Sequence, residues 1–268
     1  MHFATLCSGS SGNSILVGDR EQSFLIDCGI SGKSLLENLN LVGISAQNIA
    51  GIVVTHEHTD HIKGVGILAR KLKVPVYATE GLWEELDQSI GRILPEQRIV
   101  IGDHFDCAGL RIKLFRTSHD SRESYGLRVE KESKERTLAI GIATDTGMIT
   151  EEMHSNLKGC EALIVEANHD HDALWQGNYP WHLKKRIASN HGHLENKQLA
   201  EGLLEWIQPN TQRVVLAHLS SENNTPELAL QSVAKILKEG KIAQKYPQVR
   251  YRVAPRYHPH ELIVLNDD

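Results

Sequence analysis

The chain has 268 residues, 40% hydrophobic and 24% charged, with a formal net charge of −5 at pH 7, ordinary values for a soluble globular protein with room for a sizeable core. The acidic balance supplies no global field for nucleic acid, so such a partner would need a local basic patch. Four scattered cysteines without a Cys-x-x-Cys pair, no apolar run of membrane length and no basic-then-apolar leader predict a cytoplasmic protein with reduced thiols and no membrane partner.

Phe3 to Cys7, Ile15 to Val17 and Ser23 to Asp27 read as three strands of a meander. The small-residue loop from Ser8 to Ser14 has no following helix with a lysine, so it is not a P-loop. It is either a plain hairpin turn or a nest of backbone N–H groups that approaches an anion, with Ser11 and Asn13 as candidate substrate contacts. Residues 32–41, with Leu35, Leu36, Leu39 and Leu41, form a short amphipathic helix. Ile52 to Thr55 is a buried strand, and the loop after it presents His56, His58, Asp60 and His61. Imidazoles two apart in an extended segment share a side and can close on one cation, while Asp60 and His61 can turn toward a second. Such donors suit Zn, Mn or Fe; the bland alternative is a solvated, histidine-rich loop. Ile62, Val65, Leu68, Ala69 and Leu72 then repeat at helical spacing, and Val74 to Tyr77 is the next strand. That order places the donors at the carboxyl end of a strand, where open sheets bind ligands. Trp83 to Ile90 is a further helix.

Strands dominate from Ile99 to Thr144, with alternation at Leu110, Ile112, Leu114, at Tyr125, Leu127, Val129 and at Leu138, Ile140, Ile142. Turns fall at Ala108–Gly109 and within Glu130 to Arg136. Helix and strand then alternate: helix Glu151–Leu157, strand Ala162–Ala167, helix Leu194–Ile207, strand Arg213–Ala217, helix Pro226–Leu237, strands near Tyr251–Val253 and Leu262–Leu265. Three of these strands end in a metal-type donor: His119 after Ile112–Arg116, Asp145 after Leu138–Ala143 and His218 after Val214–Ala217. Without a repeat or linker, residues 1–268 read as one α/β domain of two sheets with helices outside each. Between Trp181 and His193, Lys184, Lys185 and Arg186 stand among three histidines, either a local phosphate-binding patch or a solvated helix face. His193 lies just before an apolar helix, near its positive end. It is a candidate phosphate binder or general acid, or simply packed. His169 and His171 are pocket residues or surface loop.

The His-x-His-x-Asp-His loop with its ordered strand-end donors resembles the signature of the metallo-β-lactamase-fold hydrolases. That resemblance implies a four-layer αββα sandwich of two mixed sheets with two divalent ions, Zn or Mn. It implies His56, His58, His119 and Asp145 on one ion, and Asp60, His61, Asp145 and His218 on the other. Asp27 would orient the ligand loop by hydrogen bonding. Ions about 3.5–4 Å apart would activate a water and polarise the scissile group, with Asp60, Asp145 and His193 as the catalytic residues. A narrower resemblance, to the YycJ/WalJ group of 5′-to-3′ DNA exonucleases linked to mismatch repair, rests on residues 8–14, 118–120, 143–147, 166–170, 192–194 and 217–220 with Asn223 and Asn224. It implies a DNA partner, for which the candidate contacts are Asn168, Lys185, Arg186 and His193 with Ser11 and Asn13 of the 8–14 loop. The alternatives are a small-molecule metallo-hydrolase acting on a thioester, lactone or cyclic phosphodiester, and a module whose metals are structural. Homo-oligomer formation is left open.

Overall fold

The computed structural model describes residues 1–133 and 136–265. Among them the chain builds β1 (His2–Cys7), β2 (Ser14–Asp19), β3 (Gln22–Ile26), β4 (Ile49–Val53), β5 (Val76–Ala78) and β6 (Arg98–Val100) of a first sheet. The second sheet takes β7 (His104–Cys107), β8 (Leu110–Arg116), β9 (Tyr125–Glu132), β10 (Thr137–Ala143), β11 (Ala162–Glu166), β12 (Arg213–Ala217) and β13 (Arg250–Val253). The last strand, β14 (Ile263–Val264), returns to the first sheet beside β1. Each sheet is mixed: β1 to β3 and β7 to β10 pair antiparallel, whereas β3 to β6 and β10 to β13 run parallel.

The helices are α1 (Gly32–Leu41), α2 (Thr59–Ile62), α3 (Val65–Leu72), α4 (Glu80–Ser89), α5 (Glu151–Leu157), α6 (His171–Gln176), α7 (Trp181–Ile187), α8 (Asn196–Trp206), α9 (Pro226–Glu239) and α10 (Ile242–Lys245). Ser31, Thr79, Thr150 and Thr225 cap α1, α4, α5 and α9 by accepting from a backbone N–H of the first turn. Leu35, Leu39, Leu68 and Trp83 pack α1, α3 and α4 on the first sheet. Met153, Leu157, Leu199, Leu203 and Val233 pack α5, α8 and α9 on the outer face of the second.

Strict alternation explains the middle layers. In β10 to β12, Ile140, Ile142, Ile164 and Val215 join the core shared with the first sheet, while Ala139, Leu163, Val165, Val214 and Leu216 join the helix-side core. Strands buried on both faces therefore read as unbroken apolar runs. The result is the expected αββα sandwich.

Two local readings are corrected. The helical repeat from Ile62 to Leu72 is two helices, broken at Gly64, whose N–H donates to Cys28 O at 2.7 Å. A Cβ there would lie 2.4 Å from Ile30 O, so the close approach needs glycine. The helix expected from Leu194 starts at Asn196, with Glu195 as its N-cap, which leaves His193 outside the helix terminus. In the turn expected over Glu130–Arg136, Ser133 N and Oγ donate to Arg136 O at 3.2 and 2.7 Å. Lys134 and Glu135 in that turn lie outside the described residues.

Parallel pairing brings the carboxyl ends of β3 and β4 together in one sheet, and those of β10, β11 and β12 together in the other. The end of β8 joins them because two antiparallel steps restore its direction. At this common rim Tyr125 N donates to Thr55 O at 3.3 Å, tying the second sheet to the first.

Candidate metal centre

Into that rim the first sheet sends His56, His58, Asp60 and His61, and the second sends His119, Asp145, Glu166, His193 and His218. Their donor atoms fall into four overlapping groups: His56, His58, His119; His56, His61, Asp145; Asp60, His61, His218; and Asp145, Glu166, His193, His218. His58 Nδ1 lies 3.2 Å from His119 Nε2, and His61 Nε2 3.3 Å from Asp145 Oδ2. Asp60 Oδ2 is 3.7 Å from the Nε2 atoms of both His61 and His218, and Asp145 Oδ1 is 3.5 Å from His218 Nε2.

The outer face of each ring explains the inner one. Asp27 Oδ2 accepts from His61 Nδ1 at 2.7 Å and from Thr55 Oγ1 at 2.7 Å, and its Oδ1 accepts from Thr55 N at 2.9 Å. With its proton given to Asp27, the Thr55 hydroxyl accepts from His56 Nδ1 at 3.0 Å. Glu166 Oε1 accepts from the Nδ1 atoms of both His193 and His218 at 2.8 Å, and Gly192 O accepts from His119 Nδ1 at 3.0 Å. Five imidazoles are thus fixed as Nδ1–H tautomers, and the Nε2 atoms of His56, His61, His119 and His218 turn inward.

Inward lone pairs that face carboxylate oxygens need a cation or a proton between them. His56 Nε2, Asp145 Oδ2 and His218 Nε2 are buried without a hydrogen-bond partner among the described residues. Borderline nitrogen and oxygen donors, oriented from behind and orphaned in front, fit divalent metal. The proton affinities agree. Burial lowers that of His218, but Asp145, Asp60 and Glu166 outweigh it and lift the imidazole to about 10. Burial likewise opposes charge on His61, which Asp145 and Asp27 raise well above its ordinary value. Burial favours protonated Asp145, yet His218 and His61 hold its carboxyl well below the usual range. For His56, burial and His61 outweigh the nearby Asp145 and push the imidazole well below its ordinary value.

Backbone geometry is specialised at the same rim. Asp27, Asp145 and His218 have φ of 59°, 57° and 55°, a left-handed conformation that costs about 1–2 kcal/mol for a residue with a Cβ. Each follows the last residue of a strand or lies within two of it, so the reversal turns its side chain into the rim. Gly29 allows a further approach: its N–H donates to Asn13 O at 2.8 Å, and a Cβ there would overlap Asp60 O.

The candidate substrate contacts separate. Asn13 is buried and its amide faces inward, Nδ2 lying 3.3 Å from Asp60 Oδ2 and 3.0 Å from His61 Nε2, while Oδ1 accepts from Gly9 N. It holds the histidine loop against the hairpin loop. Ser11 is exposed, and its neighbour Ser10 lines a cavity of about 220 Å³ beside His193, Asn168 and Ser220. Asn168 also donates to His218 O at 3.0 Å. Arg186 reaches that cavity paired with Asp120 at 2.5 Å, and Lys185 is exposed beside Trp181. Lys184, expected in the basic patch, is buried, because its ammonium donates to Trp175 O and Gly177 O at 2.8 and 2.6 Å. His193 contacts Glu166 instead of a helix terminus. His169 is buried, its proton affinity lowered to about 4 chiefly by burial, and His171 is exposed and paired with Glu195.

Glu166 and Thr55 are the site residues that the sequence reading assigned no role. The available signal for Glu166 was a carboxylate closing the apolar run of β11, the position that Asp27 holds after β3.

The comparisons agree with this geometry. The beta-lactamase superfamily domain model matches residues 22–219. Exodeoxyribonuclease YycJ of Bacillus anthracis is 38% identical over 241 residues, 89% of this chain and 90% of the relative. Exodeoxyribonuclease WalJ of Streptococcus pneumoniae is 36% identical over 231 residues, 85% and 84% of the two lengths. Among solved structures, the metallo-beta-lactamase fold protein YhfI from Bacillus subtilis superposes with a TM-score of 0.69 at 17% identity, covering 97% of this chain and 100% of that one, a likeness of fold. With its sandwich, its rim of histidines and carboxylates and these relatives, the chain belongs to the beta-lactamase superfamily, in the group that contains YycJ and WalJ.

Proposed function

We propose that this protein is a metal-dependent exodeoxyribonuclease that hydrolyses phosphodiesters from DNA ends in the 5′-to-3′ direction, a cytoplasmic enzyme of mismatch repair whose 268 residues act as one domain. The observation that carries the hydrolase reading is the ring of inward Nε2 lone pairs facing Asp60 and Asp145. The choice of DNA rests on the relatives named exodeoxyribonucleases; the polarity and the repair role rest on the resemblance of the loop motifs.

In this reading His56, His58, His119 and Asp145 hold one divalent ion, and Asp60, His61, Asp145 and His218 hold the other, Zn or Mn. Two such ions supply Lewis acidity toward the phosphoryl oxygens and lower the pKa of a water to near neutrality. The chain's own groups do the rest. Asp27, Thr55 and Glu166 hold the imidazoles in the tautomer that leaves Nε2 free. Asp60, at the open side of the cluster, accepts a hydrogen bond from the attacking water. His193 lines the cavity, oriented by the hydrogen bond from its Nδ1 to Glu166, and donates a proton to the departing 3′ oxygen.

End-labelled linear duplex digested by Mn-loaded protein, beside its Asp145→Asn variant, tests this. Asn tolerates the left-handed backbone at 145, so the variant is expected to keep the fold and lose hydrolysis. Short products from the parent alone, blocked by capped 5′ ends, are the expected result. Near-parental turnover by Asp145→Asn, or no cleavage by fully loaded parent, would overturn the reading.

A further inference from the structure

The cavity beside His193 has a second wall that the mechanism does not use. Tyr179, Leu183 and Ile187 line it together with Asn168, His193 and Ser220, and all three come from the α6–α7 hairpin or its connection. That hairpin also carries two of the four tryptophans. Trp83 and Trp206 are fully buried in the two cores, but Trp181 is 62% exposed. Its ring stands 5.2 Å from that of Trp175 at 53°, and Lys185 Nζ lies 5.3 Å over its face.

The hairpin is rigid where it needs to be. Leu174 and Ile187 are buried beneath it, and the Lys184 ammonium ties the last carbonyls of α6 to α7. Trp181, His182 and Lys185 are left outside. An aromatic face beside a cation, on the side of α7 away from the cavity-lining Leu183, Arg186 and Ile187, matches the two surfaces of a single strand, flat bases and anionic phosphates.

We infer that the α6–α7 hairpin is a stacking platform for single-stranded DNA: a base lies on Trp181 and a neighbouring phosphate meets Lys185. The inference rests on the exonuclease reading and deepens it, since it assigns the enzyme an unpaired strand end. Platform contacts are sequence-tolerant, because every base has a π-face.

The test is anisotropy of a short, fluorescein-labelled oligothymidylate with cleavage-resistant phosphorothioate linkages, titrated with the metal-loaded protein and its Trp181→Ala and Trp181→Phe variants. Trp181→Ala is expected to weaken binding about tenfold, Trp181→Phe to restore most of it, and the parent's tryptophan emission to be quenched. Turnover of bis(4-nitrophenyl) phosphate should be equal in all three. Unchanged affinity in Trp181→Ala overturns the platform, as does equal loss in Trp181→Phe, or a blunt duplex that binds as tightly as the strand. Binding that depends on Trp181 in a protein that leaves DNA uncut would keep the platform and sink the exonuclease reading. Digestion of DNA together with unchanged Trp181→Ala binding would do the reverse.

Discussion

Glu166→Gln isolates the group behind two of the inward-facing histidines. The buried carboxylate receives four N–H groups: His193 and His218 Nδ1 at Oε1, and Thr146 N and Leu194 N at Oε2, at 2.9 and 3.3 Å. A glutamine keeps one acceptor oxygen and sets an NH₂ against the other two donors, whichever way the amide is turned. If the amide nitrogen faces the backbone, two hydrogen bonds to a charged acceptor are lost, about 3–6 kcal/mol of stability. At roughly 2–4 °C per kcal/mol, that is a fall in Tm of ~6–24 °C. If it faces the histidines, both must move their proton to Nε2, which removes the inward lone pair of His218 from the centre. Metal affinity should then fall about 10–100-fold, the usual effect of losing a group that orients a ligand. Melting in EDTA and competition with a chelator distinguish the two outcomes. A variant with parental Tm and parental metal affinity would refute the role given to Glu166.

Thr55→Val keeps the shape of the side chain but leaves His56 Nδ1 buried without an acceptor. A loss of about 1–3 kcal/mol with weaker metal binding is expected in urea unfolding and chelator competition; an unchanged midpoint would show that the Thr55 hydroxyl is dispensable. The metal-free protein should also be most stable in mildly acid solution. His218 is raised from 6.5 to about 10, so its contribution is complete below 6.5 and is lost as pH climbs through about 10. Burial works against the Glu166 carboxylate, but His193 and His218 depress it below its ordinary 4.5, so its contribution is present above that value and is lost in stronger acid. Thermal melts across pH in EDTA check this, and a Tm that rises steadily to pH 9 would contradict it. Cation uptake must displace the protons on His61 and His218, so calorimetry in buffers of different ionisation enthalpy should show proton release near neutral pH. Identical heats in every buffer would mean that these histidines are neutral before metal arrives.

The histidine loop was legible because its signal is local: four donors within six residues, directly after an apolar strand. The partners at 119, 145 and 218 were legible because each closes a strand, and parallel strands deliver their ends to one rim. Glu166 was harder to read, since one carboxylate after an apolar run resembles any strand end until His193 and His218 are seen converging on it from distant segments. Lys184 shows the reverse error. Three consecutive cations suggest a solvated face, yet one of them, Lys184, satisfies two helix-end carbonyls. The break at Gly64 and the late start of α8 come from contacts with Ile30, Cys28 and Glu166, which no local periodicity records. Short helices such as α6 and α7 carry too few apolar residues for a helical pattern to emerge.

His56, His58, Asp60 and His61 precede residue 100 while His119, Asp145 and His218 follow it, so neither half of the chain owns a complete centre. Hereditary damage to this protein would therefore be spread widely through the sequence. A cavity opened at Ile140 or its cross-strand neighbour Val129, between the sheets and several residues from any donor, shifts one half of the ring against the other. Such alleles are expected to bind divalent metal weakly and to recover in part when more of it is supplied, whereas alleles at the donor residues themselves would not recover.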